Sequence, residues 1–191
     1  MRNPPDFQRE IVGLSLEFIR NVAIHHFRLP TGEKGRWESI YSKDKRTVLI
    51  APITTQGKIV LLEMFRFPIE NWIFELPGGM PETDDEGSLV KTAKRELIQE
   101  TGYSTTEPFE ELIQGWALSG KVNTSFVIYL ARNCTKIQDP CLDPVEEVEG
   151  LRVVEQSPSK IMKEIARNNP SYDLPISHAL ISLLGRGIIK L

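Results

Sequence analysis

A loop rich in glycine and proline runs directly into a segment of helical character, and this junction constrains the fold more than any other stretch. The loop starts at Pro77-Gly78-Gly79, where the two glycines allow the backbone to approach its neighbours closely. Ser88 is a favoured N-cap residue, and Gly102 occupies the position favoured after a last helical turn. The pattern therefore predicts a helix over residues 88–101, entered from a turn-rich loop.

Two carboxylates share one face of this predicted helix. Glu96 and Glu100 are four residues apart, and Gln99 lies beside them at the three-residue spacing. Two stacked carboxylates repel each other unless a cation lies between them. Their oxygens suit Mg²⁺ or Mn²⁺, ions that keep several waters and bridge to substrate phosphates. The alternative is an ordinary solvated face, because glutamate is common on exposed helices.

Arg95 precedes the first of these glutamates and can hold the loop against the helix. The expected partner is Glu86, with Asp85 as the other candidate. The glycine pair allows a backbone carbonyl, that of Gly78, to complete a metal shell.

The full string resembles the Nudix box, written GX5EX7REUXEEXGU, where U is aliphatic or aromatic. Two departures stand out. Fifteen residues separate Gly79 from Arg95 where the pattern has thirteen, and Gln99 replaces the first glutamate of the EE pair. A neutral amide coordinates a cation only weakly, so weaker metal binding, loss of one of several ions or loss of catalysis is expected. The matching positions are Gly79, Arg95, Glu96, Leu97, Glu100, Gly102 and Tyr103.

The flanking sequence is similar to the ADP-ribose and ADP-sugar pyrophosphatase branch of that family. The resemblance rests on residues 74–79, on Phe65-Arg66 and on Trp37-Glu38-Ser39 after a Pro-Thr-Gly turn. It implies that Trp37 stacks on the adenine, that Glu38 contacts the nucleoside and that Arg66 binds the diphosphate or the terminal ribose. Core or interface packing for Trp37 and a surface position for Arg66 are the plain alternatives.

Hydrolysis of a diphosphate needs an in-line water, cations that neutralise developing charge and a base that accepts the proton. In the related branch, the base or a further metal-linked glutamate follows the box on a later loop. Glu146 fits that place, with Glu147 as the alternative, although a solvated acidic turn is also consistent with the pattern. The predicted catalytic residues are Glu146, Glu147, Glu100 and Arg95, and the predicted metal ligands are Gly78, Glu96, Gln99 and Glu100.

The substrate is less constrained than the reaction. Related pyrophosphatases carry a proline in the loop after the box, and residues 118–121 lack it here. The resemblance thus implies a metal-dependent hydrolase of a nucleoside diphosphate sugar, foremost ADP-ribose, with other sugars such as GDP-mannose open. The alternative is a weakened or inactive domain that binds nucleotides as a regulatory module.

Strands before, between and after the central helix predict a mixed α/β protein. With the resemblance, this becomes a Nudix-like mixed-sheet α/β/α sandwich with an N-terminal β-hairpin extension. Residues 1–45 form the extension, predicted as strands over 15–27 and 35–42 after a loosely ordered start, and residues 46–191 form the Nudix domain. An extension this small cannot bury its own apolar face. The family resemblance implies that it is exchanged across a homodimer.

Composition bears on the partners. A net charge of -3 and a pI near 5.7, without a basic cluster, argue against nucleic-acid binding. No signal-peptide core or apolar run of membrane length is visible, which predicts a soluble cytoplasmic protein without a membrane partner. Cys134 and Cys141 lack the nearby histidines of a zinc site. The expected partners are a small-molecule nucleoside diphosphate and a second copy of the chain.

Overall fold

The central helix begins and ends as the sequence predicts. In the computed structural model, which describes residues 7–12, 21–41, 46–85 and 87–190, helix α1 spans Leu89–Thr101. Ser88 caps its start, because its side chain accepts the backbone N–H of Lys91 at 3.4 Å. Gly102 follows in the left-handed conformation with φ of 72°, which only glycine adopts without strain, and its N–H donates to the Ile98 carbonyl.

One mixed sheet carries this helix. Its strands are β4 Arg46–Thr54, β5 Ile59–Arg66, β6 Asn71–Glu75, β7 Gly78–Gly79, β8 Tyr103–Ser104, β9 Glu110–Trp116, β10 Ser125–Lys136 and β11 Arg152–Gln156. Over residues 46–85 and 87–190 the strand order is β11-β5-β4-β10-β8, with β6 paired to β5, β7 to β4 and β9 to β10.

The sheet is covered on both faces. Strand residues alternate between two buried clusters, as the pleat requires. One cluster joins Val48, Ile50 and Val127 to Ala93 and Leu97 of α1. The other joins neighbouring strand positions such as Leu61 and Ile128 to α3, Pro158–Ala166, and α4, Leu174–Gly185. The α/β/α sandwich is confirmed.

The N-terminal part of the chain forms a separate antiparallel sheet. It has the order β1-β2-β3, with β1 at Phe7–Val12, β2 at Asn21–Arg28 and β3 at Lys34–Tyr41. The predicted hairpin is present as β2 and β3, but a strand was not expected within the first ten residues. The predicted strand over residues 15–27 is described only from Asn21 onward, and its earlier part lies outside the described residues.

Two compact units emerge from the chain. The first comprises Met1–Arg46 and Gly115–Ser125, and the second comprises Thr47–Gln114 and Phe126–Leu191. A short helix, α2 at Pro144–Val148, lies in the second unit where the sequence predicts a loop, with an acidic turn as the alternative. Its Asp143 cap and Pro144 at its first position are ordinary helix-start signals. None of the helices in the described part of the chain is long and apolar enough to cross a membrane.

Candidate active site

Helix α1 buries the two carboxylates that the sequence places on one face. Glu96 is 7% exposed and Glu100 is 6% exposed, so the solvated-face alternative is wrong for both. Glu100 accepts the backbone N–H of Gly78 through Oε2 at 2.7 Å, which joins the helix to the preceding loop. A buried carboxylate is costly unless it is hydrogen-bonded or paired. Glu100 has this hydrogen bond and Glu96 pairs with Arg95, and together the two carboxylates form the candidate site.

Burial and like charge shape the titration of this pair. Burial raises the pKa of Glu100 to about 9; the Gly78 N–H opposes this, and the charges of Glu96 and Glu146 add to it. Burial also raises the pKa of Glu96, against the opposing charge of Arg95. A negative charge is thus disfavoured at both positions unless positive charge is supplied nearby.

The two glycines bring the loop backbone against these side chains. A Cβ atom on Gly79 would collide with Oε1 of Glu96, and one on Gly78 would collide with the carbonyl oxygen of Val48. The close approach that the glycine pair predicts is therefore confirmed. Only a residue without a side chain leaves room for the carboxylate of Glu96 beside the strand β7.

Arg95 holds the loop against the helix through Asp85, the second of the two candidates that the sequence offers. Its Nε donates to Asp85 Oδ1 at 3.3 Å, and its Nη2 donates to Asp85 Oδ2 at 3.1 Å. Asp85 Oδ2 also accepts the N–H of Glu82 and the hydroxyl of Thr92, at 2.8 Å and 2.9 Å. The expected partner, Glu86, lies outside the described residues.

The other terminal nitrogen of Arg95 is shared by three side chains. Nη1 lies 2.9 Å from Glu96 Oε1 and 3.2 Å from Glu82 Oε1. It also donates to Gln99 Oε1 at 3.5 Å, a long hydrogen bond. Gln99 is thus beside the carboxylates, as predicted, with its amide oxygen turned to the guanidinium.

Helix α2 carries the two candidate bases, and they differ in environment. Glu146 is half-buried and its Oε2 accepts the N–H of Asp143 at 2.7 Å, whereas Glu147 is exposed. Burial raises the pKa of Glu146; the Asp143 N–H and a side-chain hydrogen bond with Glu100 oppose this rise. Of the two, Glu146 is the one that the structure brings to Glu100.

Arg66, at the end of β5, is engaged by two carboxylates. Its Nε and Nη2 donate to Glu75 at 2.8 Å and 2.5 Å, and its Nη1 donates to both oxygens of Glu149 at 3.1 Å and 3.0 Å. The sequence does not predict Glu75 and Glu149 as the partners of Arg66. The period-two pattern of β6 places Glu75 opposite Leu62, but no sequence signal links Glu149 to Arg66.

Trp37 and Glu38 lie on β3 of the first unit. Trp37 is 50% exposed, which argues against core packing, and its Nε1 donates to the carbonyl of Gly120 at 2.7 Å. The ammonium of Lys121 lies 5.0 Å from the centre of the indole ring. Glu38 pairs with Arg36 at 2.6 Å.

The donor atoms of the second unit suit a hard cation, although a complete ligand set is not preformed. Among the side chains that the structure describes, no three acidic, histidine or cysteine groups are arranged to hold a metal ion. The oxygens of Glu96 and Glu100 nevertheless lie against the loop backbone, with Glu146 close to Glu100. This donor set fits an oxygen-preferring dication that keeps some of its waters.

Comparisons with known proteins agree with this geometry. The protein-family model described as NUDIX domain matches residues 43–171. The chain is 27% identical over 161 residues to the ADP-ribose pyrophosphatase of Bacillus subtilis, which covers 84% of this chain and 82% of that protein. It is 31% identical over 144 residues to the methanol dehydrogenase activator of Bacillus methanolicus, covering 75% of each.

One further relative and one solved structure are also similar to this chain. The chain is 28% identical over 139 residues to the CMP-5'-(N-acetyl-N-hydroxy-3-aminopropyl)phosphonate hydrolase of Streptomyces rubellomurinus, which covers 68% of this chain and 65% of that protein. A solved structure described as an ADP compounds hydrolase superposes with a TM-score of 0.78 at 19% identity, covering 98% of both chains, and so shares the fold. Nudix hydrolases generally use divalent metal ions and act on small-molecule nucleotides. With the family model matched over residues 43–171 and these carboxylates on α1, the chain belongs to the Nudix hydrolase family.

Proposed function

We propose that this protein hydrolyses the diphosphate bond of a nucleoside diphosphate sugar, giving a nucleoside monophosphate and a sugar phosphate, with a divalent metal ion. The observation that carries the proposal is the burial of Glu96 and Glu100 on one face of α1 against the loop at Gly78 and Gly79. Burying two carboxylates close together costs free energy, and a bound dication offsets this cost.

Mg²⁺ or Mn²⁺ would be held by Glu96, Glu100 and the Gly78 carbonyl, with Gln99 as a weak oxygen donor. Bound there, the ion would neutralise phosphate charge and orient the diphosphate. The positive charge would also keep both glutamates ionised, because it reverses the effect of burial on their pKa values.

The chain's own residues take the remaining roles. Glu146 is the proposed base, because it is half-buried beside Glu100, while Glu147 is exposed. It would accept the proton of the attacking water. Arg95 holds the loop and Glu96 in place through its contacts with four side chains, those of Glu82, Asp85, Glu96 and Gln99. Arg66 donates four hydrogen bonds to Glu75 and Glu149, which supports a positioning role alongside or in place of direct substrate contact.

ADP-ribose is the first substrate to test. Its support is the similarity to an ADP-ribose pyrophosphatase and an exposed indole at Trp37 on which a base could stack, with Glu38 next to it. The loop after the box lacks the proline of related pyrophosphatases, so other nucleoside diphosphate sugars, including GDP-mannose, belong in the same test.

A panel of nucleoside diphosphate compounds, incubated with Mg²⁺ or Mn²⁺ and followed by chromatography of released monophosphates, tests the proposal. Turnover of a nucleotide sugar that stops on chelation supports it. Absence of product across the whole panel would remove the hydrolytic function.

A nucleotide-binding regulator is the second candidate. Gln99 removes one negative charge from the box, and one relative is described as a methanol dehydrogenase activator. Calorimetry separates the two functions, because a regulator binds a nucleotide tightly and releases no product, whereas the hydrolase consumes it.

The N-terminal sheet supports a further part of this proposal. We propose that residues 1–45 form an extension of the Nudix domain, which comprises residues 46–191. This extension takes part in a homodimer, and the protein is cytoplasmic. Three strands form a small sheet, which on its own buries little apolar surface. Light scattering after size exclusion tests this: a chain lacking residues 1–45 is expected to be monomeric.

A further inference from the structure

The lengthened loop before α1 carries a carboxylate that neither the family pattern nor the proposed mechanism uses. Glu82 lies within the stretch that is two residues longer than the Nudix pattern. Its Oε1 is 3.2 Å from Arg95 Nη1, and its side chain is 62% exposed. Its backbone N–H donates to Asp85 Oδ2 at 2.8 Å, which fixes this part of the loop. Glu82 is therefore held at the rim of the site in a defined position.

Gln99 and Glu96 contact the same nitrogen of Arg95. Nη1 lies 3.5 Å from Gln99 Oε1 and 2.9 Å from Glu96 Oε1. Because all three side chains converge on one atom, the carboxylate of Glu82 lies within two hydrogen-bond lengths of the Gln99 amide. The loop thus places a negative charge close to Gln99, the position at which the Nudix pattern has a glutamate.

Holding Arg95 does not require this carboxylate. Asp85 already accepts two hydrogen bonds from the guanidinium and is itself buried, and Glu96 lies at the remaining nitrogen. An exposed ion pair adds little to stability when its partner is already satisfied. The carboxylate of Glu82 pairs with Arg95 at 3.2 Å, but it is not needed to hold Arg95 and lies close enough to act on a cation bound beside Glu96.

We propose that Glu82 supplies, from the loop, the negative charge that Gln99 lacks on the helix, so that the affinity of this site for a divalent cation depends on Glu82. The inference rests on the metal-dependent function proposed above. A carboxylate at the rim acts on the cation through space and through its waters, an interaction that salt screens. Glu82 is a positioning residue in this account.

Titration of the substrate-free protein with Mn²⁺, followed by the electron paramagnetic resonance signal of free Mn²⁺, tests this without any turnover. Glu82→Gln is compared with Asp84→Asn, which removes one charge from an exposed position of the same loop. At low ionic strength we expect Glu82→Gln to raise the Kd by about three- to tenfold and Asp84→Asn by less than about twofold. Salt at about 0.5 M is expected to shrink the difference.

The double variant Glu82→Gln/Gln99→Glu provides the sharper test. Moving the charge from the loop to the helix should return the Kd to within about twofold of the unmodified protein. If the two charges substitute for each other, Glu82→Gln raises the Kd less in the Gln99→Glu background than in the unmodified protein. A role independent of Gln99 predicts the same rise in both backgrounds, and unchanged melting temperatures show that the fold is intact. If Glu82→Gln behaves like Asp84→Asn, or if the double variant does not recover, this inference is wrong while metal binding stands. If the unmodified protein binds no Mn²⁺, the metal-dependent function is overturned with it.

Discussion

Glu100 accepts the backbone N–H of Gly78 at 2.7 Å across a sequence separation of 22 residues. This hydrogen bond lets the loop define where the buried carboxylate points, and a carbonyl oxygen in place of the carboxylate could still accept it. Glutamine at position 100 would therefore remove the charge and keep both the shape of the side chain and this hydrogen bond.

Glu100→Gln is expected to abolish most activity while the protein stays folded. The amide keeps an acceptor for Gly78 but cannot supply the charge that a dication requires, so kcat should fall by about a hundredfold or more. Glu96→Gln should behave in the same way. The rate of nucleoside monophosphate formation measures activity, and thermal unfolding shows whether the protein is still folded. Glu110→Gln, at an exposed ion pair with Arg132, is the control and should retain full activity.

Asp85 makes a pH-dependent contribution to stability. The hydrogen bond from Arg95 lowers the pKa of Asp85 from 3.8 to about 2. Since the folded pKa lies below the unfolded one, the stabilisation is fully present above about pH 4 to 5 and is lost as the pH falls through the folded value. Thermal unfolding of Asp85→Asn and the unmodified protein should therefore differ most near pH 6 and converge towards pH 2. A constant difference would contradict this account.

Glu146→Gln and Glu147→Gln distinguish the two candidate bases. Glutamine at 146 can still accept the Asp143 N–H that begins α2, but it cannot take a proton, so kcat should fall by about a hundred- to ten-thousandfold. Glu147 is exposed, and its substitution should leave kcat within about twofold. Steady-state rates at saturating metal check both. The opposite ranking would move the base to Glu147.

Arg66→Lys is expected to lower stability, because one ammonium cannot replace the four hydrogen bonds that the guanidinium makes to Glu75 and Glu149. The loss should be roughly 1–3 kcal/mol, a fall of several degrees in melting temperature. Differential scanning calorimetry measures it. Arg132→Lys, at a single exposed ion pair, is the matched control and should change little.

Trp37→Ala should weaken nucleotide binding, since loss of an aromatic stacking partner costs about 1–3 kcal/mol per base. Trp37→Phe keeps a ring but loses the Nε1 hydrogen bond to Gly120, and should have an intermediate effect. Calorimetry with AMP or ADP-ribose reports both. Trp116→Ala, at another exposed tryptophan, controls for loss of a surface aromatic. Equal affinity for the Trp37 and Trp116 variants would exclude the stacking role.

The elements that local signals define could be predicted from the sequence. Ser88 and Gly102 bound α1 because capping depends on neighbours in the chain, and the spacing of Glu96 and Glu100 sets their common face. Loop contacts could not be assigned in the same way. Asp85 lies six residues after Gly79, as the acidic loop residue of the Nudix pattern does, yet its pairing with Arg95 depends on the path of the lengthened loop.

Long-range pairing was the larger gap. Glu149 reaches Arg66 across 83 residues, a contact that arises because β5 and the end of α2 are joined by the Phe65 N–H and the Glu149 carbonyl. Helix α2 itself was missed because its five residues are too few for a periodic pattern. The sequence places its glutamates on a loop, with an acidic turn as the alternative, although the helix-start signals Asp143 and Pro144 are present.

The capping box of α2 has a mechanical consequence. The oxygen through which Glu146 holds the first turn belongs to the same carboxylate that is proposed to take the proton. A neutral carboxyl accepts a hydrogen bond less strongly than a carboxylate does. Protonation of Glu146 therefore weakens its hydrogen bond to the Asp143 N–H and destabilises the first turn of α2, and loss of that proton restores both. The protonation state of the proposed base and the stability of its helix are thus coupled at one residue.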